Sequence, residues 1–168
     1  MKRAGSHRPL PGDRAPSSLA FLLSQIGVYA SQRFGEAIGE IGIHPALFRV
    51  LNVVDAAEGQ SQQAIGETIQ VPPSRMVAIV DELEDRGLLT RRPHPGDRRI
   101  RALFLTAEGR GVLAEGREIA VAHEQRLTRG MKRRDREELA RLLRELADSQ
   151  GLAGGVHPGL SNPEAGSH

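Results

Sequence analysis

The stretch Arg91–Thr106, "RRPHPGDRRIRALFLT", decides how the fold is read. Its first eleven residues hold five arginines and one acid, Asp97. Pro93, Pro95 and Gly96 stand where a chain reverses, and Ile100 to Leu105 then turns into a strand-like run. With Leu88–Arg92 before it, the stretch predicts a two-stranded hairpin with guanidinium groups crowded at the tip. Like charges gathered at a turn repel one another, so the hairpin is built to meet something negative.

Working outward, the helical period dominates on both sides. Leu19, Leu22, Leu23, Ile26 and Ala30 recur at steps of three and four, with Ser17 or Ser18 as N-cap, and predict a first helix to about Gly39. Ala46–Ala57 is apolar almost all round, as a buried central helix is, with Gly59 ending it. Gln62–Ile69 follows behind a Ser61 cap. After "QVPPS" comes a further helix with Met76, Ile79, Val80 and Leu83 on one face, begun by prolines whose missing N–H costs nothing there. Gly87 breaks it. Beyond the hairpin, Thr106 caps a helix carrying Val112, Leu113, Gly116, Ile119, Ala120, His123 and Leu127. A last helix from about Lys132 has Leu139, Leu142, Leu143 and Leu146 as its stripe. The expected fold is mainly α with a small β-hairpin. A short helix–turn–helix and the hairpin after it form a winged helix over about 45–105.

On the second helix of that pair, Ser74, Val77, Ala78 and Asp81 point away from the apolar face, with Arg75 on the flank. Small outward residues and one guanidinium suit a helix lying close in a DNA major groove. An adjacent hairpin then reaches the minor groove, where narrow A·T-rich stretches attract arginine. Net charge is only +2, yet Arg86–Arg101 holds six arginines against Asp97. A second basic cluster spans Arg129–Arg136. Clusters on an otherwise balanced chain point to a polyanion held at defined places; solvated arginine-rich surface is the other reading of the same residues.

Residues 1–16 read as a disordered basic arm and 151–168 as a flexible Gly- and Pro-rich tail, around one domain over 17–150. No cysteine is present, which excludes disulfides and thiol-based sensing. The six histidines show no i, i+4 pair, so no metal site is expected. There is no Gly-x-Ser-x-Gly elbow, phosphate loop or His-Glu-x-x-His, and the expectation is a non-enzyme with no cofactor. No apolar run approaches the roughly 20 residues of a membrane span, nor is there a signal-peptide core. A soluble cytoplasmic protein is expected.

The run Gln60–Leu113 resembles the MarR (multiple-antibiotic-resistance regulator) family of winged-helix repressors. "VDELEDRGLLTRR" at Val80–Arg92, Pro-x-Asp-Arg-Arg at Pro95–Arg99 and Leu-Thr-x-x-Gly at Leu105–Gly109 carry the resemblance, with "IGIHPALFRVL" at Ile41–Leu51. It implies that Arg98 enters the minor groove while Asp97 pairs with Arg99 and stiffens the tip. It also implies DNA contacts from Ser61, Gln62, Pro73, Ser74, Arg75, Val77, Ala78 and Arg91. The sequence departs from the family's pattern at three places. Ala78 stands where many members have a polar or basic residue, Gln70 replaces the turn glycine, and His44 replaces a Thr-like cap.

The resemblance further implies a homodimer, built from helices at about 17–39 and 106–150, that binds a pseudo-palindromic double-stranded operator. The leucine stripes exceed what a small winged helix buries alone, and Gly116 with Ala120 is expected to let helices of the dimer approach closely. It implies, finally, a small organic effector, often phenolic or anionic, with Tyr29, Arg33, His44, Phe48 and Arg49 as candidate ligands. Packing, capping and ion pairing remain open for these five. The expected function is a sequence-specific repressor released by an effector. The alternative is an architectural or protein-binding winged helix without ligand control.

Overall fold

Three hydroxyl side chains set the starts of three helices. Ser18 Oγ accepts from the Phe21 amide at 3.2 Å and opens α1, Leu19–Gly39. Ser61 accepts from Ala64 at 3.1 Å and opens α3, Gln62–Thr68. Thr106 accepts from Gly109 at 2.9 Å and opens α5, Ala107–Leu127. Each satisfies one of the amides that a helix start leaves unpaired. Between them lie α2, Pro45–Ala56, and α4, Pro73–Asp85; α6 is Arg133–Ser149. The antiparallel hairpin pairs β1, Leu89–Pro93, with β2, Arg101–Leu105, in register from Leu89 opposite Leu105 to Pro93 opposite Arg101. The computed structural model describes residues 18–94, 96 and 101–152. The expected basic arm, residues 153–168 of the tail, and Asp97, Arg98 and Arg99 lie outside them.

Element order and fold class are those expected of a winged helix-turn-helix with flanking helices. The core sits in the lobe of α2, α3, α4 and the hairpin, where Val50, Leu51, Ile65, Met76, Leu83, Leu89 and Leu103 are almost wholly buried. Ile38 from the end of α1 and Leu113 from the first half of α5 join it. Full burial of each such side chain is worth about 1.5–3 kcal/mol. Thus α4 and the hairpin are fixed on the lobe as one body.

Three features differ from expectation. Helix α2 ends at Ala56, and Gly59 serves the turn beyond it at φ +88°. Residues 59–61 form a third short strand-like segment beside β2, where the Gly59 amide donates to Leu103 O at 3.0 Å and the Leu103 amide to Gln60 O at 2.9 Å. A segment this short has no readable period. Third, the close helix approach that Gly116 allows is with α1 and α2 of its own chain. A Cβ built there would stand 2.5 Å from the Phe48 ring and 3.2 Å from Ile38.

Among the described residues, much of the apolar surface of the flanking helices is left uncovered. Leu19, Ile26 and Tyr29 on α1 are half exposed or more, as are Val121 on α5 and, less so, Leu142 on α6. Among the described residues, helix α6 buries none of its own and packs substantially on no other element. Among the described residues no helix is long and apolar enough to cross a membrane.

Candidate nucleic-acid interface

The outer face of α4 follows from where its apolar residues go. Met76, Ile79, Val80 and Leu83 are buried, so the 3.6-residue period turns Ser74, Val77, Ala78 and Asp81 outward; all four are exposed. Pro72 caps the helix without a side-chain bond and Pro73 forms its first turn. Arg75 is half-buried on the flank and makes its own polar interaction. The face is short-chained, which lets a helix backbone come close to base edges. Of the helix–turn–helix residues on α3, Gln62 is half-buried, and Ser61 uses its hydroxyl oxygen to cap that helix.

The hairpin stands beside this face. Arg92 lies over the Phe104 ring, 5.2 Å from its centroid, and Arg101 on the facing strand is exposed. Arg91, expected as a DNA contact, is bonded within its own lobe. Its guanidinium donates to Asp81 at 2.5 Å, to Glu84, and to Gln62 at 3.2 Å, while its amide donates to the other Glu84 oxygen at 3.0 Å. Its side chain is only 21% exposed. The Arg91 amide first, and its guanidinium second, hold the Glu84 carboxyl below the usual carboxylate range. Three of the five guanidinium N–H groups of Arg91 are thus engaged within the lobe.

The five candidate effector residues part ways. Tyr29 and Arg33 line a cleft of about 350 Å³ between α1 and α5, together with Glu36, His123 and Arg126. Arg33 lies 5.6 Å over the Tyr29 ring and pairs with Glu36 at 2.9 Å. His44 is the α2 cap, with Nδ1 accepting from Ala46 at 3.2 Å. Phe48 belongs to the core, tilted against Phe34 at 5.9 Å. Arg49 makes no ion pair among the described residues. Its Nε is buried without a partner, and burial holds its guanidinium below the usual arginine value. Sequence reasoning missed His123 and Arg126 because α5 is read first as an apolar stripe. Their spacing of three, which puts both on one helical face, was the available signal.

The sequence pattern of the MarR family matches residues 41–100. Over 129 residues the chain is 30% identical to a putative transcriptional regulatory protein for the hcr operon of Thauera aromatica, covering 76% of this chain and 78% of that one. The chain belongs to the MarR family. A solved structure of the transcriptional repressor CouR bound to a 23-mer DNA duplex is 33% identical, superposes with a TM-score of 0.72, and covers 83% of this chain and 99% of that one. CouR from Rhodococcus jostii RHA1 bound to p-coumaroyl-CoA is 30% identical at a TM-score of 0.66, covering 78% and 92%.

This MarR-family regulator binds DNA through its winged helix, and the turn ahead of its α4 carries an unusual residue. Gln70 has φ +54°, the left-handed region that favours glycine. Replacing it relieves a backbone cost of about 1 kcal/mol, partly offset by the side chain's own interaction. Gln70→Gly is therefore expected to raise the melting temperature by a few degrees while leaving the outward residues of α4 in place. Calorimetry on both proteins checks this, and a lower melting temperature would contradict it.

Proposed function

We propose that the chain is a homodimeric, sequence-specific repressor that leaves a pseudo-palindromic operator when a small aromatic acid, free or as its CoA thioester, binds. The observation that carries the DNA half is the short-chained outer face of α4 set directly beside the arginine-bearing hairpin. Two identical winged helices related by a two-fold axis match two inverted half-sites, and the uncovered apolar faces of α1 and α6 supply the surface for pairing. The effector half is supported by the bound ligand of CouR and by two features of this chain. One is the cleft with Tyr29, Arg33, His123 and Arg126. The other is Arg49, a desolvated cation without an anion among the described residues. Work on the chromosome places such a repressor in the cytoplasm, and the reading assigns it no catalytic step.

The test is fluorescence anisotropy on a duplex from upstream of its own operon, against a scrambled duplex, at two salt concentrations. Arg98→Ala should weaken operator binding by about 1–3 kcal/mol and flatten the salt dependence by about one unit per chain. Equal affinity for both duplexes would replace the repressor with an architectural protein. Titrating p-coumarate and p-coumaroyl-CoA into the complex then tests release. If neither displaces the duplex, aromatic effector control is wrong.

A further inference from the structure

We propose that Arg91 is a positioning residue that clamps the recognition helix α4 and helix α3 to the wing, and that it makes no contact with DNA. The inference rests on the DNA-binding reading above and deepens it.

Arg91 is the third residue of β1, and its guanidinium reaches back across the lobe. It joins β1 to α4 through Asp81 and Glu84 and to α3 through Gln62. Asp81 and Glu84 are three apart, so one turn of α4 presents both carboxylates toward the same strand. Arginine alone suits this place. Its planar fork bonds several acceptors at once, whereas lysine offers a single nitrogen on a flexible stem.

The clamp lies where the two DNA-reading elements must keep a fixed relation. Helix α4 is to sit in a major groove and the hairpin in the neighbouring minor groove, so rotation of one against the other takes one of them off its groove. The apolar core holds the base of the hairpin through Leu89, Leu103 and Leu105. Beyond the Leu89–Leu105 pair the strands extend toward Pro93 and Arg101; backbone bonds at Leu103 tie β2 to residues 59–60, and Arg91 ties β1 to α3 and α4. It also neutralises two acids beside the outer face of α4, one of which, Asp81, would otherwise face phosphates as a bare charge.

Two substitutions separate the clamp from a direct phosphate contact. Arg91→Lys keeps the charge and loses the multiple bonding. A clamp predicts roughly tenfold weaker operator binding, the loss that one or two charge-assisted hydrogen bonds imply. Glu84→Gln removes an acid close to the duplex and frees Arg91. Simple electrostatics, or an Arg91 released to touch phosphate, makes binding tighter; the clamp makes it weaker. Both variants are measured as intact dimers well below their melting temperatures, so a loss of stability alone does not register.

Deuterium exchange without DNA gives a second reading. Arg91→Lys should speed exchange in β1, β2 and the end of α4 and leave α1 unchanged. Weaker binding by both variants with faster wing exchange supports the clamp. Wild-type affinity in Arg91→Lys, tighter binding in Glu84→Gln, or unchanged wing exchange overturns it. If the unaltered protein fails to bind its operator, the DNA-binding reading fails, and the exchange measurement still decides whether Arg91 holds wing and helix together.

Discussion

Gly109→Ala should destabilise the winged-helix lobe by about 3 kcal/mol or more, a large share of a domain's marginal stability. Gly109 lies in the first turn of α5, and a Cβ there would stand 1.9 Å from the carbonyl oxygen of Leu88 and 2.8 Å from its carbon. The obstacle is backbone, so no rotamer change relieves it. The same carbonyl accepts the Thr106 amide at 3.2 Å, and the Thr106 hydroxyl donates to Gly87 O at 2.7 Å. Making room for one methyl group therefore means prising α5 from the base of the hairpin. Thermal unfolding followed by circular dichroism measures the effect. The neighbouring Gly111 has open space around its Cβ position, so Gly111→Ala controls for substitution in the same helix and should be neutral or slightly stabilising. Equal melting of the two variants would show that α5 and β1 are not pressed together as described.

Leu139→Glu with Leu143→Glu should separate the dimer and weaken operator binding at least about 100-fold, since two linked half-site contacts become two independent ones. Both leucines lie on the α6 stripe, one turn apart, and both are about 40% exposed within the single chain. In the proposed dimer these leucines, open on a helix that touches little else among the described residues, are the surface for pairing. Glutamate forms helix nearly as well as leucine, so α6 can persist as a helix while its apolar surface becomes charged. Light scattering should report the monomer mass, and anisotropy the lost affinity. A double variant that remains dimeric would move the dimer contact away from α6.

Much of the winged helix was legible because its determinants are local. The caps Ser61 and Thr106 lie three residues before the amides they satisfy. The breaker Gly87 sits at φ +69° directly after α4, and Gly96 lies between the two strands, whereas Pro93, expected in the turn, ends β1 opposite Arg101. The outward set Ser74, Val77, Ala78 and Asp81 also came from period alone, since a helix with one buried face leaves no choice about the other. The Leu-Thr-x-x-Gly motif was visible as a resemblance, but its physical reason, the Leu88 carbonyl against Gly109, needed the fold. For the candidate effector site, sequence marked Tyr29 and Arg33 together with Phe48. Only packing separates the two that line a cleft from the one that fills the core.

The amino-acid sequence by itself determined the order of helices and hairpin, their capped ends, the buried face of each and the concentration of arginine at the wing. All of these depend on neighbours within a turn or two, where rise and period fix which side chains share a face. Tertiary structure alone decided what particular charges and glycines are for. Arg91 meets Asp81 and Gln62, ten and twenty-nine residues away, and so ties β1 to two other elements. Among the described residues Arg49 finds no anion, and Gly116 meets Phe48 of α2. An ion pair or a close approach is a property of two surfaces brought together, and no spacing along one chain encodes which carboxylate a guanidinium will reach.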